Sequence, residues 1–160
     1  MLATLIALPL AVAAGVGAFL LGLPSAERTG PVAVEPPAAP SPSPGAPDVQ
    51  ATCARLLDAL PDTLGGRSSR KVTGASPDQA SAWGDPPVVL RCGVSAPAVR
   101  PDAQLVAVDK VTWVAAERAN TVRWTTTDRA VAVEVRVPAD EQAHSVLADV
   151  APAVRSVPAV

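Results

Sequence analysis

The chain has 160 residues, a usual length for one domain, and its 13 basic and 15 acidic side chains give a formal net charge of −2. So small a charge argues against nucleic acid as a partner and against strong attraction to anionic lipid. The single histidine and the two cysteines, which form no CxxC pair, are too few for a zinc shell or a redox motif. We therefore expect no metal site and no cofactor.

Residues 1–23 carry no charged side chain, and residues 2–23 form an almost unbroken apolar run. As a helix this run would extend roughly 33 Å, enough to span the hydrocarbon of a bilayer. A cleaved signal peptide is the alternative, but its apolar core would usually be shorter and would follow basic residues. We predict a transmembrane anchor over residues 1–23, which makes the protein single-pass in the cell membrane, or secreted if this segment is cleaved.

Residues 24–47 are rich in proline, with eight Pro among 24 residues. Because proline fixes φ and has no backbone donor, this stretch is predicted to form neither helix nor sheet but an extended tether. Fully extended, it would reach roughly 75 Å. The predicted organisation is therefore an anchor (1–23), a tether (24–47) and a domain outside the cytoplasm (48–160).

The domain is predicted to begin with an amphipathic helix that carries one of the two cysteines. Asp48 is a suitable N-cap, and apolar residues then recur at helical spacing to about residue 60, with Cys53 on the buried side. Cys92 falls on the inward side of a predicted strand, so a helix packed on that face would bring the two together. In an oxidising compartment we expect a Cys53–Cys92 disulfide, worth roughly 4 kcal/mol by loop entropy. Two buried free thiols are the alternative.

Later in the chain, two more helices and a set of strands are predicted. Residues 76–79, Ser-Pro-Asp-Gln, have the pattern of a capping box, and a short helix would run from there to Trp83. A C-terminal helix would begin near residue 140, and Pro152 should kink or end it near Val150. The predicted fold class is α+β, with a small antiparallel sheet of about four strands and helices packed on one face. Alternating apolar residues place the strands at residues 88–94, 104–108 and 111–116 (one bent strand or two), 121–126 and 131–137.

Four charged residues share the face of the predicted sheet opposite the apolar side chains. By strand alternation they are Arg91, Arg123, Glu134 and Arg136. If helices cover the other face, three guanidinium groups are available to bind a carboxylate, a phosphate or an acidic protein surface. A solvated face with internal ion pairs is the alternative.

The sequence Trp83-Gly84-Asp85-Pro86-Pro87 lies beside this face, at the start of a predicted strand. A tryptophan next to rigid prolines makes a preformed apolar platform, so Trp83 and Asp85 are candidate binding residues. In the structural alternative, Trp83 caps the preceding short helix against the core, Gly84 supplies a left-handed turn, and the two prolines lead into the strand.

The block WGDPPVVLRCGV at residues 83–94 and the strand at residues 129–138 resemble DUF3515, a family of uncharacterised actinobacterial proteins. Cys53 and the sequence Val-Thr-Trp at residues 111–113 are similar to the family as well, so the resemblance covers essentially the whole domain. It implies a single-pass or secreted protein, and it brings no known reaction, cofactor or catalytic residue.

We expect the domain to act as a non-enzymatic binding or scaffolding accessory in the cell envelope, with an envelope protein or an anionic wall component as its partner. Its contact surface would include Arg91, Arg123 and Arg136. One alternative is a small envelope hydrolase that uses His144, the only histidine, with Ser145 beside it. Adjacent helical residues point about 100° apart, which does not favour joint action of these two. The other alternative is a purely structural spacer domain.

Overall fold

The computed structural model describes residues 30–38 and 47–160, and the predicted anchor at residues 1–23 lies outside these ranges. No helix within the described ranges is long and apolar enough to cross a membrane. The described residues form two helices and ten strands. The helices are α1 (Val49–Asp58) and α2 (Ala143–Val154), and the strands are β1 (Val32–Ala33), β2 (Thr63–Leu64), β3 (Arg67–Arg70), β4 (Val72–Thr73), β5 (Ala80–Trp83), β6 (Val88–Val94), β7 (Leu105–Val108), β8 (Val111–Arg118), β9 (Thr121–Thr126) and β10 (Ala132–Pro138).

Eight strands form one antiparallel sheet in the order β2-β3-β5-β6-β10-β9-β8-β7. The predicted α+β class and antiparallel sheet are confirmed, but the sheet has eight strands instead of about four. The predicted strands correspond to β6 through β10, and residues 104–116 form two separate strands, β7 and β8. The last strand of the chain, β10, lies in the middle of the sheet between β6 and β9.

The short helix predicted after Ser76 does not form. Its capping sequence makes a single turn, in which the N–H groups of Gln79 and Ala80 donate to the Ser76 carbonyl at 2.9 and 3.2 Å. The chain then continues as β5, which pairs with β6 so that Trp83 lies opposite Val88. The prediction is wrong because the stretch has too few residues for a stable helix, whereas a neighbouring strand satisfies its backbone.

Two further strands, β2 and β3, extend the sheet beyond β5 and were not predicted either. Gly65 and Gly66 form the two-residue turn that joins them, with φ angles of 55° and 77° that favour glycine. A Gly-Gly pair between two short strands is a hairpin signal. This hairpin and β5 together account for the larger sheet.

Both helices pack on one face of the sheet, as predicted, and enclose the main core. Asp48 caps α1, since its carboxylate accepts a hydrogen bond from the Ala51 N–H at 3.1 Å. Cys53 of α1 and Cys92 of β6 form the predicted disulfide, with 5.6 Å between their Cα atoms. The fully buried side chains of this core include Trp83, Leu90, Trp113, Val133, Val135 and Leu147.

The C-terminal helix α2 continues through Pro152, so of the two predicted effects, a kink or an end near Val150, the end does not occur. Proline removes its own backbone hydrogen bond, but the ladder resumes after it, since the Arg155 N–H donates to the Ala151 carbonyl at 2.9 Å. Ala151 and Val154 are buried in the core, whereas Pro152 is exposed. The packing of the buried side thus holds the last turn in place.

Part of the predicted tether packs on the domain as β1, which pairs in parallel with β4. The Val34 N–H donates to the Thr73 carbonyl at 2.8 Å. The prediction that residues 24–47 form no sheet is therefore wrong at β1. Residues 32–35 contain no proline, and the larger apolar side chains of Val32 and Val34 stand at every second position, as in a strand. Together with sheet residues they form a second, smaller apolar cluster of Val34, Ala80, Ala82 and Val89.

Candidate binding groove on the arginine face

We use the name arginine face for the side of the sheet that carries Arg91, Arg123, Glu134 and Arg136, opposite the two helices. The strand register brings these four residues together. Arg91 lies opposite Glu134 across β6 and β10, and Arg123 lies opposite Arg136 across β9 and β10. Because side chains opposite each other on neighbouring strands touch, the face gathers three cations around one carboxylate.

Glu134 is the centre of this cluster and is 3% exposed. Its Oε1 accepts hydrogen bonds from Arg91 Nε and Nη2, at 3.0 and 2.8 Å, and from Arg136 Nε at 2.8 Å. Arg123 Nε lies 3.7 Å from Glu134 Oε2. One carboxylate cannot neutralise three guanidinium groups, so the cluster retains an excess of positive charge.

The three arginines differ in how far solvent reaches them. The Arg91 side chain is 10% exposed, and its Nη1 donates to the Glu35 carbonyl of the N-terminal segment at 3.2 Å. Arg91 is therefore enclosed as the partner of Glu134, and little of its side chain is left exposed to a ligand. The side chains of Arg123 and Arg136 are 34% and 38% exposed, so both can reach a ligand.

Trp83 and Asp85 occupy different environments in the loop that precedes β6. Trp83 is 1% exposed in the main core, and its indole Nε1 donates to the Pro61 carbonyl at 3.0 Å. This burial on the side of the sheet opposite the arginine face favours the structural alternative for Trp83. Gly84 has a φ of 69°, as a left-handed turn requires, and Asp85 is half-buried.

Beside Arg136, a groove of about 620 Å³ opens on the arginine face. Its walls come from β1, from the loop before β6, and from the ends of β9 and β10, so segments far apart in sequence meet here. Arg136 and Asp140 are the charged residues of its lining, which is otherwise mainly apolar. Other lining residues include Val32, Ala33, Pro87, Val89, Thr121 and Pro138.

The β1 wall presents a strand edge to this groove. The N–H groups of Val32 and Val34 donate to the carbonyls of Lys71, just before β4, and of Thr73 in β4, both at 2.8 Å, and backbone groups alternate in direction along a strand. The N–H and carbonyl of Ala33, which lines the groove, therefore point away from β4. Val32 and Ala33 were not predicted from the sequence to contribute to a site, although the alternation of Val32 and Val34 between prolines was a signal for a strand.

The candidate residues for hydrolysis do not meet in the groove. His144 and Ser145 are exposed in the first turn of α2, and neither belongs to the lining of the groove. Asp140 does line it, but it precedes the helix and is exposed. In residues 30–38 and 47–160, no group of three or more His, Cys, Asp or Glu side chains is arranged to hold a metal ion.

These features define a class of protein, a disulfide-bonded α+β domain whose antiparallel sheet has helices on one face and, on the other, a mainly apolar groove that contains Arg136. The chain belongs to DUF3515, described as "Protein of unknown function (DUF3515)", and residues 6–160 match that family. The resemblance seen in the sequence is thereby confirmed. No curated protein and no solved structure matches the chain.

Proposed function

We propose that this protein is a membrane-tethered domain outside the cytoplasm that binds a partner in the cell envelope without enzymatic activity. The uncharged apolar run of residues 2–23 supports the anchor. The Cys53–Cys92 disulfide supports a location outside the cytoplasm, because such bonds persist in oxidising compartments. The anchor would hold the domain at the outer side of the cell membrane.

The observation that carries the binding proposal is the groove with Arg136 in its lining. The excess positive charge of the cluster attracts an anion, and the planar guanidinium groups of Arg123 and Arg136 suit a carboxylate. The apolar lining offers contact area that a free small anion would leave unused. These features favour a ligand that carries carboxylates on an extended, partly apolar body.

The strand edge of β1 favours a protein segment over a wall polymer as that ligand. The outward-facing N–H and carbonyl of Ala33 can pair with an extended peptide, which would lie along the groove as an added strand. Acidic side chains of the peptide would then contact Arg123 and Arg136. The proposed partner is thus an acidic, extended segment of an envelope protein, and an anionic wall component is the competing outcome of the test.

Photocrosslinking in cells tests this proposal. The probe replaces Asn120, which is exposed in the β8–β9 turn and lines the groove, and the control places the probe at Arg155, which is exposed after α2. We expect a discrete protein adduct at position 120 that is absent at position 155. A carbohydrate-containing adduct would favour the wall component. The absence of any adduct at position 120 would contradict binding in the groove and favour a spacer domain.

Neutralising the two exposed arginines should strongly weaken the adduct without unfolding the domain. Arg123→Gln with Arg136→Gln removes both charges, whereas charge reversal would add a negative charge beside the buried Glu134. We expect the position-120 adduct to fall by about tenfold or more, with an unchanged circular dichroism spectrum. Arg155→Gln removes the same charge far from the groove and should leave the adduct unchanged. An adduct of full intensity in the double variant would contradict the role of the arginines.

A further inference from the structure

The N-terminal segment at residues 30–38 is bound to the sheet through both its backbone and its side chains. The Val32 and Val34 N–H groups donate to the carbonyls of Lys71 and Thr73, both at 2.8 Å. Val34 is 5% exposed and belongs to the smaller apolar cluster, so its burial adds to these hydrogen bonds. The segment is therefore part of the domain, although its sequence lies within the predicted tether.

Two arginines fasten this segment on either side of β1. Arg70 Nη2 donates to the Gly30 carbonyl, and Arg91 Nη1 donates to the Glu35 carbonyl at 3.2 Å. Hydrogen bonds from a charged donor are stronger than those between neutral groups. Arg70 also donates from Nη1 to the Gly84 carbonyl at 2.8 Å, which joins the segment to the loop before β6.

This attachment shortens the chain between the domain and the predicted anchor. Only residues 24–31 lie between the anchor and β1, whereas the whole predicted tether comprises residues 24–47. From residue 23 to Val32 the chain spans at most roughly 30 Å at full extension, compared with roughly 75 Å for the whole tether. Residues 39–46 join two parts of the same domain, so their length does not add to this distance.

The groove is held at the same distance from the anchor. Val32 and Ala33 belong to its lining, so this wall stays within roughly 30 Å of the end of the anchor. A groove in that position meets chain segments that lie close to the membrane surface. A partner that is anchored in the same membrane gains from this arrangement, because its segment is then present at the groove at a high effective concentration.

We propose that the segment bound in the groove is the membrane-proximal stretch of another membrane protein, just outside the bilayer. This inference rests on the proposed anchor and on the proposed binding of an acidic, extended segment, and it adds where in the partner that segment lies. Docking of residues 30–38 keeps Arg123 and Arg136 at the height of such a stretch, where they contact its acidic side chains.

A matched pair of insertions in the full-length chain tests this proposal. Ten Ala-Pro repeats form a semi-rigid spacer of about 62 Å. Between residues 26 and 27, the spacer precedes β1 and moves the docked domain away from the membrane. Between residues 42 and 43, the same spacer follows β1 and leaves that distance unchanged. A tether that was free over its whole length would respond equally to both insertions.

Energy transfer measures the height of the groove without any partner. The full-length chain in phosphatidylcholine vesicles carries a donor dye at Asn120→Cys, and the acceptor dye is attached to lipid. Cys53 and Cys92 are bonded to each other and do not take up the dye. We expect the insertion before β1 to lower the transfer severalfold and the insertion after β1 to leave it unchanged. Equal transfer in the two variants would overturn the proposal.

Photocrosslinking in cells from position 120 identifies the partner. The wild-type adduct should contain a membrane protein, with the crosslink mapped by mass spectrometry to residues just outside its transmembrane segment. The insertion before β1 should lower the adduct by on the order of tenfold, and the insertion after β1 should not.

The outcomes separate this inference from the proposed function. An adduct with a protein that has no membrane segment, or an adduct of equal intensity in both insertion variants, would overturn the membrane-proximal assignment and leave binding in the groove intact. The absence of any wild-type adduct would contradict binding in the groove, and this inference with it.

Discussion

At the scale of single residues, Glu134 holds the arginine face together. Burying a carboxylate costs free energy unless cations and hydrogen bonds replace the lost water, and three arginines supply these contacts. Arg91 depends on Glu134 in return, since its guanidinium is almost fully enclosed. Removing either side chain would leave the opposite charge buried without its partner.

Glu134→Gln should lower the free energy of unfolding by about 3–5 kcal/mol, because an amide cannot compensate the buried Arg91 guanidinium. Urea denaturation followed by circular dichroism measures the loss. The control is Glu117→Gln, since Glu117 is exposed on β8 and its replacement should change stability by about 0.5 kcal/mol or less. Small, equal losses in the two variants would show that the cluster does not stabilise the fold.

Strand alternation predicted that Arg91, Arg123, Glu134 and Arg136 share a face, and the strand register agrees. Alternation does not predict which of them a ligand can reach, because accessibility depends on what else covers the face. Arg91 is enclosed by a contact with Glu35, 56 positions earlier in the chain. No local pattern contains that information.

At the scale of elements, the two-residue strand β1 shapes the groove because glycine lets it approach the sheet closely. Gly74, just after β4, has a φ of 88°, and a Cβ added there would lie 2.6 Å from the Val34 carbonyl oxygen. No side chain fits into that space. The N-terminal segment at residues 30–38 therefore rests against a position that only glycine can occupy.

Gly74→Ala should lift residues 30–38 from the sheet, because the added methyl group collides with the Val34 carbonyl. Hydrogen exchange measures this change, and we expect the Val34 amide to lose most of its protection. Gly66→Ala is the matched control, since Gly66 also has a positive φ, of 77°, but a Cβ there meets nothing within 4 Å. Equal protection of Val34 in both variants would contradict a steric role for Gly74.

Local patterns in the sequence predicted some elements well and failed for others. In β10, apolar Val133, Val135 and Val137 alternate with polar residues, which is typical of a strand with one buried face. In β5, the capping residues at 76–79 favour a helix locally, yet pairing with β6 determines the structure of the residues that follow. A short segment takes the conformation in which neighbouring strands can form hydrogen bonds with its backbone. Those strands are distant in sequence, so a local sequence pattern does not reveal them.

At the scale of the whole molecule, the disulfide ties α1 to the centre of the sheet across 39 positions. Replacing both cysteines, Cys53→Ala with Cys92→Ala, should lower the free energy of unfolding by about 4 kcal/mol, because the bond restricts the unfolded chain. Denaturation in urea measures the difference. A reducing agent should destabilise the wild type by a similar amount and leave the double variant unchanged. Equal stability of the reduced and oxidised wild type would contradict this prediction.

The central place of β10 has a consequence for how the protein is made. Synthesis delivers the N-terminus first, so the strands up to β6 and the meander from β7 to β9 both emerge before the strand that joins them. Until residues 132–138 are released, β6 and β9 have unpaired edges, which readily adhere to other chains. The domain therefore completes its sheet only after residues 132–138 have been synthesised. A chain interrupted before residue 132 lacks the strand between β6 and β9, so it would not form a smaller version of the same fold. Chaperones would bind it or proteases would degrade it.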